Sequence, residues 1–262
     1  MNDITAKDLV GISIDMERPT PLYRSSGHQI YWLGITDETA FRCNAYLIRD
    51  GEEAILLDPG SRRFFDQLWT RVGQIMDPEK VSGMILCHQD PDVAASMVDW
   101  LEVNPDMRVY STARTHVLLP HYGCSDYNAC HVSENPILEL PSGSCLRFIE
   151  APFLHFSGAF VTYDDATRYL FSGDIWAALD IEWELTVKSF EDHVPNMDLF
   201  HVDYMASNLA ARGFVRRVEG IAIDAILPQH GSLIGPDHVD AALDYLQNLR
   251  CGTDIVYADL ES

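Results

Sequence analysis

The segment GMILCHQDPDVA, residues 83–94, places three metal-ligating side chains directly after an apolar run. His88, Asp90 and Asp92 alternate with other residues, so one imidazole and two carboxylates can converge at the end of a strand. Imidazole nitrogens and carboxylate oxygens are ligands for iron, manganese and zinc. Asp-Pro-Asp is also a common helix start, so this segment alone leaves both a metal site and a simple N-cap open.

Three further ligand-type residues stand at the ends of other apolar runs. His155 follows EAPFL, Asp174 follows YLFSG, and His230 follows AILPQ. Strand ends in layered α/β folds are where sites gather, because a rigid scaffold holds the loops that carry them. Together with the first segment, these residues predict a two-metal site in which one carboxylate bridges the ions and screens their repulsion.

The elements that would position these residues alternate between strands and helices. Short apolar runs bounded by turn residues predict strands, and they are HQIYWLG, FRCNAYLI, EEAILLDPG, MILCH, MRVYST, CLRFIEAP, AFVTYDD, RYLFSGD and DAILPQHG. Helical spacing of apolar residues predicts helices, among them RRFFDQLWTRVGQIM, VAASMVDWLEV, MDLFHVDYMASNLAARGFVRRVEG and PDHVDAALDYLQNLR. We read DHVPNMD as a loop over the site and Gly252 as the C-cap of the last long helix.

This alternation predicts the fold class. Strands followed by helices, twice over, indicate an α/β fold in which two mixed sheets pack face to face with helices outside, an αββα sandwich. No linker-like stretch interrupts the chain, so we predict a single domain over residues 1–262.

The composition limits the classes of partner. The net charge is −22, from 40 acidic and 18 basic residues, so the surface repels phosphate backbones and anionic lipid, and we expect no nucleic-acid or membrane partner. The N-terminal segment has neither the basic region nor the apolar stretch of a signal peptide. We therefore expect a cytoplasmic protein with reduced cysteines.

The order and spacing of the ligand-type residues resemble a known superfamily. The interval from His88 to His155 is 67 positions (155−88). Asp174 follows after 19 more (174−155), and His230 after another 56 (230−174). This pattern resembles the metallo-β-lactamase superfamily, and within it the diiron domain of flavodiiron proteins. The segments FRCNAYLI, LLDPG, LFSGDIWA and LPQHGSLI extend the resemblance over about residues 28 to 250.

The resemblance implies a ligand set for two metals. Three residues would hold the first metal, two the second, and one would bridge both: His88, Asp90 and His155; Asp92 and His230; and Asp174. Asn44 and Asp58 would orient ligands, or be no more than a strand cap and an Asx turn. Independently of the resemblance, His201 and Tyr204 lie at i and i+3 of a predicted helix, where they could reach the metals or form a polar edge of that helix.

Two positions depart from the flavodiiron pattern. That pattern reads His-x-Glu-x-Asp-His, whereas this chain has Asp90 in place of the glutamate and Val93 in place of the last histidine. The Asp90 carboxylate reaches about one methylene less far, and the second metal would lose one of its imidazole ligands and keep that of His230. Hydrolytic members show His-x-His-x-Asp-His, so the two missing histidines disfavour a zinc hydrolase. We also expect no flavodoxin-like domain and no bound FMN, because no Gly/Ser/Thr-rich phosphate loop occurs in the chain.

The resulting hypothesis is a non-haem diiron protein whose diferrous site binds O2 as a peroxo adduct, as the resemblance to stand-alone oxygen-binding diiron proteins implies. It would hold two iron ions, with zinc or manganese as alternatives. It would serve O2 sensing through an unidentified signalling partner, as a homodimer by family analogy. Two enzyme functions stay open: a metal-dependent hydrolase of phosphoesters or thioesters, and an O2 or NO reductase supplied by a separate electron-donor protein.

Overall fold

Two β-sheets lie at the centre of the fold. The computed structural model describes residues 3–25, 27–35, 41–181 and 183–260. The strands within them are, in chain order, β1 (Thr20–Arg24), β2 (His28–Ile35), β3 (Asn44–Asp50), β4 (Glu53–Leu57), β5 (Gly83–Ile85), β6 (Arg108–Ser111), β7 (Asn128–His131), β8 (Ile137–Glu139), β9 (Cys145–Glu150), β10 (Phe160–Asp164), β11 (Tyr169–Gly173) and β12 (Ala225–Pro228).

Both sheets are mixed. The first has the order β1-β2-β3-β4-β5-β6-β7 and the second β12-β11-β10-β9-β8. In the first sheet the pairs from β1 to β4 are antiparallel and those from β4 to β7 are parallel. In the second sheet β11 and β12 pair parallel and the other neighbours antiparallel. Of these strands, β1, β7 and β8 were not predicted from the sequence.

Alternate residues of a strand face different apolar clusters, as the two-residue period of a strand requires. In β3, Tyr46 and Ile48 share a cluster with Phe171 of the second sheet, whereas Leu47 faces the opposite cluster. In β11, Phe171 points between the sheets and Leu170 points outward. The two sheets therefore pack face to face around a shared apolar layer.

Helices cover the outer face of each sheet. The helices in the described ranges are α1 (Phe65–Gly73), α2 (Pro91–Ala94), α3 (Met97–Val103), α4 (Ala113–His116), α5 (Phe190–Tyr204), α6 (Asn208–Val218), α7 (Val239–Asn248) and α8 (Thr253–Val256). Val72 and Trp100 pack on the first sheet, and Phe214 and Leu246 on the second. Burying a large apolar side chain stabilises the fold by roughly 1.5–3 kcal/mol. The predicted αββα sandwich is confirmed.

The predicted single helix over residues 197–220 is two helices, α5 and α6. Between them, Ser207 has an extended backbone, and its hydroxyl accepts a hydrogen bond of 3.3 Å from the Ala210 amide. A serine in this position starts a new helix, because it satisfies an amide that has no partner within the helix. The prediction missed this N-cap because apolar periodicity continues across it.

One predicted loop and one predicted helix cap were wrong. The predicted loop over residues 192–198 lies within α5, which contains Pro195. The proline removes one backbone donor without ending the helix, whose buried face includes Met197. Gly252 does not cap α7; it precedes α8 with a φ of 49°, and a Cβ there would collide with the Met205 carbonyl oxygen.

Candidate metal centre

The six predicted ligands lie where strands of both sheets end. They are His88, Asp90 and Asp92 after β5, His155 after β9, Asp174 after β11 and His230 after β12. Asp90 occupies the N-cap position of α2, but its side chain makes no capping hydrogen bond. The Asp-Pro-Asp segment therefore does begin a helix, while the Asp90 carboxylate is directed elsewhere.

Three of these side chains form a first group. The ligand atoms of His88, Asp90 and His155 all lie within 4.8 Å of one another. Asp90 Oδ2 is 3.5 Å from His88 Nε2 and 3.3 Å from His155 Nε2. Two imidazoles and one carboxylate around one point are a donor set that suits a divalent iron, manganese or zinc ion.

A second group includes a residue that the sequence analysis did not select. Cys43, Asp92 and His230 offer ligand atoms within 4.8 Å of one another. Asp92 Oδ2 is 3.5 Å from His230 Nε2 and 3.6 Å from Cys43 Sγ. The available signal for Cys43 was its place beside Asn44 in FRCNAYLI, and a lone cysteine there is most often a small core residue.

Asp174 lies between the two groups and faces both. Its Oδ2 is 3.1 Å from His88 Nε2 and 2.9 Å from His155 Nε2, whereas its Oδ1 is 3.4 Å from His230 Nε2. The side chain is buried, and Oδ1 has no hydrogen-bond partner among the described residues. A buried acceptor without a donor is costly unless something else satisfies it. The residues present thus fit a pair of cations bridged by this carboxylate.

Charge is concentrated around this carboxylate. Burial alone would raise the pKa of Asp174, but the neighbouring histidines, His88 foremost, outweigh burial and hold the pKa well below its usual range. Burial lowers the pKa of His155, yet hydrogen bonds with Asp174 and Asp90 raise it overall to about 9. In the absence of metal, His155 therefore carries a proton that offsets the carboxylates, and a metal ion would displace that proton.

Asp58 supports the first group through the backbone. Its Oδ1 accepts a 2.9 Å hydrogen bond from the amide of Cys87, the residue before His88. Burial raises the pKa of the Asp58 carboxyl to about 6. Asp58 does not line the cavity that the ligands face among the described residues, so it holds the strand end that carries His88.

Asn44 supports the second group in the same way. Its Nδ2 donates hydrogen bonds of 2.9 Å to the carbonyl oxygens of Pro228 and Gly231, on either side of His230. Its Oδ1 accepts a hydrogen bond of 2.9 Å from Trp32 Nε1. The amide thereby fixes the loop that presents the His230 imidazole.

The remaining predicted residues separate into cavity and core. Tyr204 lines the cavity, whereas Val93 is fully buried in the apolar cluster on the outer face of the first sheet. His201 does not reach the cavity: its Nδ1 is 2.8 Å from the Met197 carbonyl oxygen, and its Nε2 accepts a 2.9 Å hydrogen bond from the Trp176 amide. Burial lowers the pKa of His201 to about 4, so a neutral imidazole connects α5 to the segment after β11.

All of the predicted ligands except His88 line a cavity of about 410 Å³ with aromatic walls. Phe200 and Tyr204 stack with their ring centroids 4.6 Å apart, and both present edges to the His155 ring at 5.9 and 6.0 Å. Phe41 and Phe64 complete the apolar lining. The site thus combines polar ligands at its base with an apolar approach, as small-molecule sites commonly do.

Gly173→Ala is expected to lower the free energy of unfolding by about 2 kcal/mol and to weaken metal binding. Gly173 has a φ of 55°, a conformation that costs other residues roughly 1–2 kcal/mol, and a Cβ there would lie 2.9 Å from Cys87 Sγ. Asp174 follows directly, so relief of this contact moves the Asp174 carboxylate. Urea unfolding and metal titration test the prediction.

Gly213→Ala in α6 is the matched control. A Cβ at Gly213 meets nothing within 4 Å, so this variant should be unchanged or more stable, by about 0.5–1 kcal/mol. Equal effects of the two substitutions would contradict the argument from Gly173.

Comparisons with known proteins identify the family. The profile described as ODP family beta lactamase matches residues 41–231. Two structures of a chemotaxis sensor, ODP, are 32% identical to this chain: one is described as a peroxy diiron species (TM-score 0.81, covering 92% of this chain and 99% of that one). The other is the apo state from T. denticola (TM-score 0.80, covering 94% and 99%).

The chain also resembles longer proteins, among them a flavo-diiron protein, over part of their length. A flavoprotein from Thermotoga maritima has the same fold at 20% identity (TM-score 0.75, covering 89% of this chain and 61% of that one). A nitric oxide reductase of Moorella thermoacetica is 33% identical over 159 residues, 55% of this chain and 39% of that protein. The flavo-diiron protein FprA2 of Clostridium acetobutylicum is 29% identical over 132 residues, 50% of this chain and 33% of that protein.

The family match covers more than half of the chain, and the chain spans little more than a third of the longer flavodiiron relatives. The resemblance to the diiron branch of the metallo-β-lactamase superfamily is therefore confirmed, and the chain belongs to the ODP family of beta-lactamase-like proteins.

Proposed function

We propose that this protein holds two iron ions between its two ligand groups and binds O2 there for O2 sensing. The observation that carries the proposal is Asp174, whose two carboxylate oxygens face separate groups of ligands. When the protein holds a pair of ferrous ions, those ions would supply electrons to O2. Similarity to a chemotaxis sensor described as a peroxy diiron species supports iron and O2 over other metals and ligands.

The proposal assigns each ligand to an ion. His88, Asp90 and His155 would hold the first, Asp92 and His230 the second, and Asp174 both. Mixed imidazole and carboxylate ligation suits iron and manganese, and zinc is the third competing ion. The Asp174 charge would offset the repulsion between two cations, and His155 would release its proton as the ions bind.

The cavity suits a small uncharged ligand. Its walls are largely aromatic. The strongly acidic surface does not repel a neutral molecule such as O2, because that molecule carries no charge. The stacked rings of Phe200 and Tyr204 stand over His155 and would restrict water at the ligands. Restricted water slows the loss of a bound reactive ligand.

An optical spectrum of protein loaded anaerobically with Fe(II), before and after O2 is admitted, tests the proposal. A visible absorption band that forms with O2 and persists for minutes is the expected result. Protein loaded with Zn(II) is the matched control and should show no band, because zinc has no accessible electrons to donate. Immediate colourless oxidation of the iron would contradict a role in holding O2.

Catalytic reduction of O2 or NO with electrons from a separate donor protein is the second candidate function. The similarity to a nitric oxide reductase over 55% of this chain favours it. Sustained NADH consumption in the presence of NO, a flavoprotein reductase and a rubredoxin would support the reductase. A single stoichiometric reaction with O2 under the same conditions would favour the sensor.

We further propose that the protein works in the cytoplasm as a homodimer and signals through a partner protein. None of its six cysteines, all of which the structure describes, forms a disulfide, as is usual in a reducing compartment. Within the described ranges, no helix has the length and apolar character to cross a membrane. Light scattering of the purified chain tests the dimer, since a monomer mass would contradict it.

A further inference from the structure

We infer that Cys43 supplies a thiolate ligand to the second metal ion, an inference that rests on the proposed two-metal centre. The ligands assigned above leave this ion with Asp92, His230 and a shared Asp174. Val93 stands where the flavodiiron pattern has a histidine, so one protein ligand is missing. Cys43 is the side chain that the fold brings to the same place.

The distances around Cys43 match those between ligands of one ion. Its Sγ is 3.6 Å from Asp92 Oδ2, which is 3.5 Å from His230 Nε2. Metal–sulfur bonds of about 2.3 Å and metal–oxygen or metal–nitrogen bonds of about 2.0–2.2 Å place two ligand atoms about 3–3.7 Å apart in octahedral or tetrahedral geometry. One ion at normal bond lengths can therefore contact all three side chains.

The backbone holds Cys43 and His230 in register. The two residues form an isolated antiparallel β-bridge, and the Asn44 amide donates a 2.6 Å hydrogen bond to the Gln229 carbonyl oxygen. The His230 Nδ1 lies 3.1 Å from the Arg42 carbonyl oxygen. Donation from Nδ1 to a carbonyl leaves Nε2 for a metal, the usual arrangement of a metal-bound histidine. The sulfur and the imidazole are thus fixed by the same pair of strand ends.

An independent observation points to a cation beside them. Asp174 Oδ1 faces His230 Nε2 at 3.4 Å, on the side of this second group. Asp174 is 4% exposed, and this oxygen lacks a hydrogen-bond partner in the described chain. An ion held by Cys43, Asp92 and His230 would satisfy this oxygen, so the cysteine is not the sole feature that points to a ligand.

The chemistry is a proton exchange without oxidation. Without metal, the thiol has two acceptors in reach, the Phe41 carbonyl oxygen at 3.4 Å and Asp92 Oδ2 at 3.6 Å. Metal binding breaks the S–H bond and forms a sulfur–metal bond: Cys–SH + M²⁺ gives Cys–S⁻–M²⁺ and a proton released to solvent. The second ion then has a softer ligand than the first, which favours iron, cobalt or zinc over manganese at that position.

Titration of metal-free protein with Co(II) tests the inference without relying on O2. The wild type should bind two ions and develop an intense near-ultraviolet thiolate-to-cobalt band with the ion at the second site. Cys43→Ser should lack that band and bind its second ion tenfold or more weakly, since loss of even an orienting partner costs about 10–100-fold. Cys145→Ser, at the half-buried start of β9, is the matched control and should keep the band.

The outcomes separate the two proposals. Two bound cobalt ions without a thiolate band in the wild type would overturn the role of Cys43 and leave the two-metal centre standing. Failure to bind two ions would overturn both. Absence of the band in the wild type decides against Cys43 whether or not Cys43→Ser folds. Where the band is present, loss of the band in Cys43→Ser assigns it to Cys43, and far-UV circular dichroism checks that this variant is folded.

Discussion

Replacing His28 with leucine is expected to lower the free energy of unfolding by about 3–5 kcal/mol. His28, in β2, is 5% exposed and lies between two buried carboxylates. Its Nδ1 is 2.7 Å from Asp50 Oδ2 in β3, and its Nε2 is 2.7 Å from Asp164 Oδ2 in β10. The imidazolium thus joins the two sheets, and its removal leaves two buried negative charges without their shared cation.

The pH dependence follows from two opposed pKa shifts. Burial lowers the pKa of His28, but Asp164 and Asp50 outweigh burial and raise this pKa overall. The contribution of His28 to the free energy of unfolding is therefore complete below about pH 6.5 and is lost as pH rises through the raised pKa. Burial raises the pKa of Asp50, but Ser142 and His28 outweigh it and lower the pKa. The contribution of Asp50 to stability is present when the pH is above the ordinary pKa of an aspartate, and it is lost as pH falls through the lowered pKa. The stability difference between wild type and variant should therefore be largest between about pH 4 and pH 6.5.

Urea unfolding of the metal-free proteins at several pH values measures this difference, in which contributions common to both chains cancel. His121→Leu, at an exposed histidine, is the control and should change stability by less than about 0.5 kcal/mol. In the His28→Leu background, Asp164→Asn should recover part of the loss, because it removes one unpaired charge. A small loss that does not vary with pH would mean that His28 is not the cation between these carboxylates.

Asp174→Asn is expected to reduce metal binding from two ions to about one and to lower the affinity for the pair of ions by more than about 100-fold. An asparagine oxygen can replace one carboxylate oxygen, but the amide nitrogen cannot ligate a cation. The second ion would lose its shared ligand, and the repulsion between the ions would no longer be screened. The O2-dependent absorption band of the iron-loaded protein should disappear with the second ion.

Metal analysis after anaerobic loading and desalting checks the stoichiometry. Asp240→Asn, at an exposed position in the first turn of α7, is the matched control and should bind two ions. Circular dichroism of both metal-free variants distinguishes loss of a ligand from loss of the fold. Two ions bound to Asp174→Asn with unchanged affinity would remove Asp174 from the bridging position.

The local pattern of apolar residues was sufficient to predict the layers of the fold. The short apolar runs of β3 and β11 predict strands, because a strand with both faces buried is apolar at consecutive positions. Helical spacing predicts the outer layers. The helix predictions failed at two residues, for opposite reasons. Ser207 divides a continuous apolar helix pattern in two. Pro195 does not interrupt α5, because packing stabilises that helix.

The candidate centre was predictable in part. His88, Asp174 and His230 come soon after strands, and strand ends of stacked sheets meet at one edge, so the sequence order already predicts that these side chains converge. The direction of His201 was not predictable, because i, i+3 spacing places it on the same helix face as Tyr204. The structure instead directs its two ring nitrogens to Met197 and Trp176.

The sequence by itself determined which strands end in ligands, because the order of residues along a strand sets both its buried faces and the side chains at its C-terminal end. Only the tertiary structure decided that Cys43 lies beside His230, and that His28 lies between Asp50 and Asp164. These contacts join segments far apart in the chain. The Cys43–His230 and His28–Asp164 contacts arise from how the two sheets register against each other, and such registration leaves no periodic signal in the sequence.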